Sequence, residues 1–155
     1  MTEATGAIVR EIFIEAPPED VFPYFTDAKK MVVWKAVSAE VDGRPGGDFR
    51  IDVTGAGDVA RGAFLEIESP HRVVFTWVWE APDGTPDPRG SIVEVTLTPE
   101  GDGTRLRLVH SGVAAARQER SAAGWDHYLT RLKLAAAGQD PGRDPWAGIP
   151  GGATT

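Results

Sequence analysis

The sequence contains no cysteine and no asparagine, and its apolar stretches are short. Without cysteine, the chain forms no disulfide and offers neither a thiolate nucleophile nor a Cys-ligated metal site. Without asparagine, it has no acceptor for N-glycosylation. No apolar run approaches the ~18 residues of a membrane span, and the N-terminus lacks a signal-peptide core. These absences predict a soluble, cytoplasmic domain.

Positive charge is also scarce, because 16 Lys and Arg are set against 23 Asp and Glu, for a net charge of −7. A protein that binds nucleic acid needs a basic surface to displace counterions from the phosphates. An anionic membrane surface attracts basic segments in the same way. The charge balance therefore argues against both nucleic acid and membranes as partners.

The length of 155 residues is enough for one domain with a substantial core. We predict a folded domain over residues 7–138, a flexible N-terminus over residues 1–6 and a flexible tail over residues 139–155. The tail is rich in Gly and Pro and has the composition of a disordered extension. Its Trp146 either docks on the domain or is exposed, and the sequence leaves both alternatives open.

Alternation of apolar and polar residues predicts seven strands. They are expected over residues 7–15, 37–42, 47–54, 58–69, 71–80, 90–98 and 103–110. The separators are rich in Gly, Pro and Asp, which favour turns. Each strand has one apolar phase, so one face of the sheet is buried and the other is wet, as in an antiparallel meander. In the fourth strand the inward phase is expected to be Ala63, Leu65 and Ile67.

Helices are predicted on either side of this meander. Pro and acidic residues at 17–20 mark the start of a short helix that Pro23 should shorten or kink, and a second short helix is expected over Ala28–Trp34. The last element, over residues 114–138, is a long amphipathic helix. Its apolar residues fall at i, i+4, i+7 and i+11, namely Trp125, Leu129, Leu132 and Ala136.

A sheet with one apolar face needs a cover, and only the C-terminal helix is long enough to provide it. A strongly curved sheet over one helix often leaves a gap, which is the usual form of a small-molecule site. Strand order places the turn at residues 54–58, the connection at residues 80–90 and the exit after His110 at one end. We expect the mouth of a cavity there, with residues 81–90 as a flap.

The segment GDVARGAFLEIESPHRVVFTW (residues 57–77) resembles the signature of the activator of heat-shock-protein-90 ATPase homologue-like family. The segments AVSAEVDGRPGGDFRID (36–52) and GWDHYLTRL (124–132) are similar to the same family, and the resemblance covers about residues 7–138. This family belongs to the START-like (SRPBCC, pollen-allergen-like) superfamily. The resemblance implies an α+β helix-grip fold, in which a seven-stranded curved antiparallel sheet wraps a long C-terminal helix, with two short helices after strand 1. It does not imply one function, since members bind hydrophobic ligands, act as cyclases or resistance proteins, or stimulate a chaperone ATPase.

We expect the chain to bind a small hydrophobic or aromatic molecule in the cavity between the sheet and the C-terminal helix. The predicted lining residues are Trp34, Phe49, Leu65, Trp77, Trp79, His110 and Trp125. Phe64 is a poorer candidate than Leu65 because it falls on the outward phase. The tryptophans could instead fill the core, and His110 could be a hydrogen-bonded residue at a strand end.

No catalytic residue, metal ligand or cofactor is predicted. The three histidines lack the paired spacing of a metal site, and no glycine-rich turn leads into a helix as a phosphate-binding loop would. Two other functions stay open. A cyclase- or hydrolase-like enzyme would use the same cavity and need His110 with an inward-facing acid, whereas a chaperone-ATPase activator would use the outer face of the sheet. The protein could be a monomer or a homodimer.

Overall fold

The computed structural model describes residues 5–81, 83–85 and 90–148. Its main element is a seven-stranded antiparallel sheet in the order β1-β7-β6-β5-β4-β3-β2. The strands are β1 (Thr5–Ile14), β2 (Ser38–Val41), β3 (Asp48–Asp52), β4 (Val59–Glu68), β5 (Arg72–Trp79), β6 (Ser91–Glu100) and β7 (Gly103–Ala114). Strands β2 to β7 form the predicted meander, and β1 pairs with β7. The α+β architecture, a curved sheet on a long C-terminal helix, is confirmed.

The helices also follow the sequence pattern. Two four-residue turns, α1 (Pro18–Val21) and α2 (Pro23–Thr26), divide at Phe22, because Pro23 lacks the N–H that would continue a single helix. Helix α3 (Ala28–Trp34) begins at Asp27, whose carboxylate accepts a hydrogen bond from the Lys29 N–H at 3.0 Å. The last helix, α4 (Gln118–Ala136), follows a short 3₁₀ turn (Ala115–Arg117). None of the helices in these ranges is long and apolar enough to cross a membrane.

The core lies between the concave face of the sheet and one face of α4. Helix α4 contributes an apolar stripe at i, i+3, i+4 and i+7, and all four members of this stripe are buried. Strands β5, β6 and β7 present their inward phase to it, as predicted. The buried residues of these strands include Val73, Phe75, Trp77, Val93, Val95, Leu97, Leu106 and Leu108, and those of the α4 stripe are Trp125, Tyr128, Leu129 and Leu132.

The prediction of which β4 side chains face the core is wrong in the middle of the strand. The pairing of β4 with β5 shifts between Phe64, which lies opposite Phe75, and Glu66, which lies opposite Val74. The extra residue of this β-bulge is Leu65, which is 50% exposed, while Phe64 is 2% exposed and packs in the core. An inserted residue reverses the side-chain alternation on the two sides of the bulge. Strict alternation along β4 therefore predicts Leu65 on the inner face and Phe64 on the outer face, which is the reverse of their observed positions.

The boundary between the last strand and the long helix also differs from the prediction. Strand β7 continues to Ala114 instead of ending at His110, because the start of β1 supplies a partner: Thr5 pairs with Ala114 and Gly6 with Val113. Helix α4 consequently begins at Gln118. The local sequence does not determine the conformation of residues 111–114, because their partners lie in other strands: Ile92 for Ser111, and the start of β1, more than 100 residues away, for Val113 and Ala114.

Part of the C-terminal segment packs on the domain. The Trp146 ring stacks on the His127 ring with centroids 3.8 Å apart, so the docked alternative for Trp146 is the correct one. The Gly148 N–H donates to the Thr54 carbonyl at 2.5 Å. Residues 149–155 lie outside the described part of the chain, and the flexibility of residues 1–6 and 139–155 stays a prediction.

The bulge makes a direct prediction for two adjacent side chains. Phe64→Ala removes a buried ring and should lower the free energy of unfolding by about 3–5 kcal/mol. Leu65→Ala, the matched control on the same strand, should lower it by less than about 1 kcal/mol, because that side chain is half exposed. Urea denaturation of the two variants measures both values. Equal losses, or a larger loss for Leu65, would show that the bulge is misplaced.

Candidate functional site

A cavity of about 200 Å³ opens at the end of the sheet where strand order predicts the mouth. Its walls come from the turn before β4, the ends of β5 and β7, the residue that follows α3, and the first half of α4. The lining residues are Lys35, Gly57, Asp58, Trp77, Trp79, Glu80, His110, Arg117, Arg120, Ser121, Gly124, Trp125 and Tyr128. Of the predicted flap, residues 82 and 86–89 lie outside the described part of the chain.

Aromatic rings form one wall of this cavity. Trp77 packs against Trp79 with ring centroids 5.5 Å apart at 89°, and against Trp125 with centroids 5.9 Å apart. Trp77 and Trp125 are buried, whereas Trp79 is half-buried at the open end. An accessible ring, that of Trp79, therefore lies at the mouth, and the buried rings of Trp77 and Trp125 pack behind it.

Lys35 forms the deep end of the cavity and is only 6% exposed. Its Nζ lies 4.2 Å from the ring centre of Tyr128, 4.8 Å from that of Trp77 and 4.9 Å from that of Trp125. Among the described residues, no carboxylate or carbonyl oxygen accepts a hydrogen bond from this amine. Burial lowers the pKa of Lys35 from 10.5 to about 7, and the charge of Asp144 opposes that shift.

The position of Lys35 is fixed by the buried Arg131 of α4. Its guanidinium donates hydrogen bonds to the carbonyls of Trp34 (3.1 Å) and Val33 (3.2 Å) at the end of α3. It also donates to the carbonyls of Gly142 (2.9 Å) and Pro141 (3.3 Å) in the C-terminal segment. These bonds cap α3 one residue before Lys35 and hold its backbone against α4, so that the side chain enters the cavity.

His110 is locked in one protonation state by its neighbours. The Trp125 indole N–H donates to His110 Nδ1 at 2.9 Å, so Nδ1 carries no proton. The Ser91 hydroxyl donates to the Trp77 carbonyl at 3.0 Å, so Ser91 Oγ accepts the Nε2–H of His110 at 2.6 Å. Burial, helped by the charge of Lys35, lowers the pKa of His110 from 6.5 to about 4. The imidazole is therefore neutral at pH 7, with both nitrogens occupied.

Four of the seven predicted lining residues meet at this cavity: Trp77, Trp79, His110 and Trp125. Trp34 and Phe49 lie deeper, in an apolar interior whose free space is about 10 Å³, room for one water at most. Leu65 lies in neither space, because the bulge in β4 turns it to the outer surface. The structure shows where these seven residues lie. Their role in ligand binding stays a prediction.

Lining residues that were not predicted from the sequence include one lysine, two arginines and one tyrosine. Lys35 was not singled out, since a lysine beside Trp34 gives no signal of burial. Arg117 and Arg120 lie in the stretch that was assigned to a continuous helix. Tyr128 could have been found, because it falls three residues after Trp125 on the same apolar stripe. No group of three or more His, Asp or Glu side chains within the described ranges could hold a metal ion.

Residues 15–137 match the model of the family "Activator of Hsp90 ATPase homolog 1-like protein" (AHSA1). The chain belongs to this family. The AHSA1-like assignment agrees with the resemblance of residues 57–77 and with the fold of the solved relatives. It identifies the sheet–helix architecture as that of a ligand-binding superfamily.

Three comparisons place this AHSA1-like chain among known proteins. It is 42% identical to an AHSA1-like protein from Rhizobium etli, covering 96% of this chain and 94% of that one, with a TM-score of 0.71. It is 25% identical to an HSP90 activator from Plasmodium falciparum, covering 83% of this chain and 94% of that one, with a TM-score of 0.68. An uncharacterized protein of Schizosaccharomyces pombe is 27% identical over 83% of this chain, which spans only 37% of that protein's length.

The environment of His110 makes the stability of the AHSA1-like domain depend on pH. The unfolded chain binds a proton at His110 below about pH 6.5, whereas the folded chain does so only near pH 4, so stability falls as the pH decreases through this window. The full effect is on the order of 3 kcal/mol. Denaturation of the wild type and of His110→Gln across this range measures it, and the variant should lose that part of the pH dependence.

His71→Gln is the matched control for this experiment, because His71 is exposed in the turn between β4 and β5. It removes an imidazole at an exposed position, and its free energy of unfolding at pH 7 should stay within about 1 kcal/mol of the wild type. If His110→Gln retains the wild-type pH profile, then His110 is not held neutral by its burial.

Proposed function

We propose that this AHSA1-like protein reversibly binds a small aromatic or otherwise hydrophobic molecule in the cavity between the sheet and α4. The observation that carries the proposal is the exposed edge of the aromatic wall: Trp79 stands half-buried at the opening, and Trp77 and Trp125 lie behind it. Flat apolar ligands stack on such surfaces, and the rings lose little conformational freedom because they are already packed.

The size of the cavity limits the ligand to one or two rings. Pockets for drug-sized ligands have volumes of roughly 300–1,000 Å³, and this one has about 200 Å³. The apolar interior behind Lys35 offers no extension, since its free space is about 10 Å³. Burying ~200 Å² of apolar ligand surface would contribute on the order of 5 kcal/mol before the entropic cost of association.

The geometry favours binding over catalysis at His110. A general base needs a free lone pair within reach of its substrate. Both nitrogens of His110 are engaged, Nδ1 by Trp125 and Nε2 by Ser91. A cyclase- or hydrolase-like reaction that uses His110 as its base would first have to break one of these bonds.

Trp79→Ala tests the proposal, with 2-naphthamide as a neutral two-ring probe and isothermal titration calorimetry as the measurement. Loss of an aromatic contact of about 1.5 kcal/mol should weaken binding roughly tenfold. Phe13→Ala is the matched control, because Phe13 is a half-buried ring on β1 outside the cavity. Binding that survives Trp79→Ala unchanged would place the ligand elsewhere.

Native mass spectrometry of the protein as purified from cells complements this measurement, since a co-purified small molecule should be seen directly. An assay for stimulation of an Hsp90 ATPase, the activity in the name of the family, tests the remaining alternative. We expect no stimulation.

A further inference from the structure

The cavity concentrates positive charge in a protein whose net charge is −7. Lys35, Arg117 and Arg120 all line it. None of the three forms an ion pair with any described residue, whereas seven arginines elsewhere in the described part of the chain are paired with carboxylates. Those seven are Arg10, Arg44, Arg50, Arg61, Arg72, Arg105 and Arg107.

The carboxylates in the lining are already engaged by other groups. Glu80 accepts hydrogen bonds from Arg50 at 2.8 and 3.1 Å, and Arg61 lies 3.6 Å away. Asp58 accepts a hydrogen bond from the Thr54 hydroxyl. Neither acid forms an ion pair with Lys35, Arg117 or Arg120 within the described part of the chain, and Asp144 acts on Lys35 through its charge, without a hydrogen bond.

Lys35 is the strongest part of this argument. It is a cationic side chain more than nine-tenths buried, it points into a cavity, and no described residue accepts its hydrogen bonds. The faces of Tyr128, Trp77 and Trp125 partly stabilise an ammonium group. They accept none of its three N–H donors in the way that an oxygen does. An anionic oxygen from a ligand would supply the missing acceptor.

We propose that the ligand of this cavity is a one- or two-ring aromatic carboxylate, whose carboxylate binds Lys35 and whose ring packs on Trp77, Trp79 and Trp125. The proposal rests on the proposed function and specifies the class of ligand. Both halves of such a molecule find their complement within one cavity: aromatic faces for the ring, and for the acid an ammonium that no described residue pairs with. Association would also raise the charged fraction of Lys35, whose pKa of about 7 leaves it partly neutral at pH 7.

Arg117 and Arg120 act at the opening. Arg120 is exposed and Arg117 half-buried, and both precede the buried turn of α4 that carries Trp125. Cations around a cleft attract anions over distances near the Debye length and accelerate association at low ionic strength. The two arginines would thus draw the anion in, while Lys35 would hold it.

The test compares 2-naphthoate with 2-naphthamide, which have the same rings and differ in the charge of one substituent. Calorimetry on the full chain at pH 7 should show tighter binding of the acid, by roughly 10- to 100-fold, as expected for a charge-assisted hydrogen bond to a buried cation. This comparison uses the wild-type protein and therefore does not depend on whether a variant folds.

Lys35→Met then assigns the effect to one residue. The variant should lose that 10- to 100-fold advantage of the acid, while its affinity for the amide stays within about threefold of the wild type. Lys133→Met is the matched control, because Lys133 is exposed near the end of α4. It should leave the affinities for both probes unchanged.

The outcomes separate the two proposals. If acid and amide bind equally well to the wild type, or if Lys35→Met retains the preference for the acid, the carboxylate assignment is overturned while binding in the cavity stands. If neither probe binds, the cavity is not a site for two-ring aromatics, and both proposals fail.

Discussion

The burial of the Lys35 ammonium group governs the chemistry of the whole site. Lowering its pKa from 10.5 to about 7 corresponds to a penalty on the order of 5 kcal/mol for the charged form. Three aromatic rings offset part of this penalty. Arg131 donates to the carbonyls of Val33 and Trp34 and so holds the end of α3 against α4, where the Lys35 side chain is buried. A buried cation at a cavity wall lowers the stability of the fold. Groups of this kind, with strongly shifted pKa values, are common at functional sites.

The strands and helices could be predicted almost entirely from local signals, whereas the helix-grip arrangement was implied by the family resemblance. Seven strands, the break at Pro23 and the cap at Asp27 all follow from side-chain alternation, backbone chemistry and short-range hydrogen bonds. The errors occur where pairing with another segment determines the local conformation. Leu65 is displaced by a bulge in the pairing with β5, and β7 extends to Ala114 because β1 pairs with Val113 and Ala114. Neither partner is visible in a window of neighbouring residues.

The site was less predictable than the fold, because burial of polar residues has no periodic signature. Trp77, Trp79 and His110 could be placed at the mouth, since the inward phase and the strand ends locate them. Lys35 follows a short helix in a stretch with two exposed valines, Val32 and Val33, so its sequence context does not indicate the interior. Its burial results from the packing of α3 on α4, which only the tertiary structure shows.

His110 and Lys35 share this cavity, yet their surroundings give them opposite capacities. Burial lowers the pKa of both groups. For His110 the structure satisfies the neutral form completely, with Trp125 on one nitrogen and Ser91 on the other, so the ring is a fixed part of the wall. For Lys35 no oxygen of a described residue accepts an N–H, so its hydrogen-bonding capacity is not used by the part of the chain that the structure describes. A group whose donors are unmet gains most from a partner that arrives from outside. The unmet donors of Lys35, and not the titration of His110, therefore favour an anionic group on the ligand that we propose for the aromatic wall.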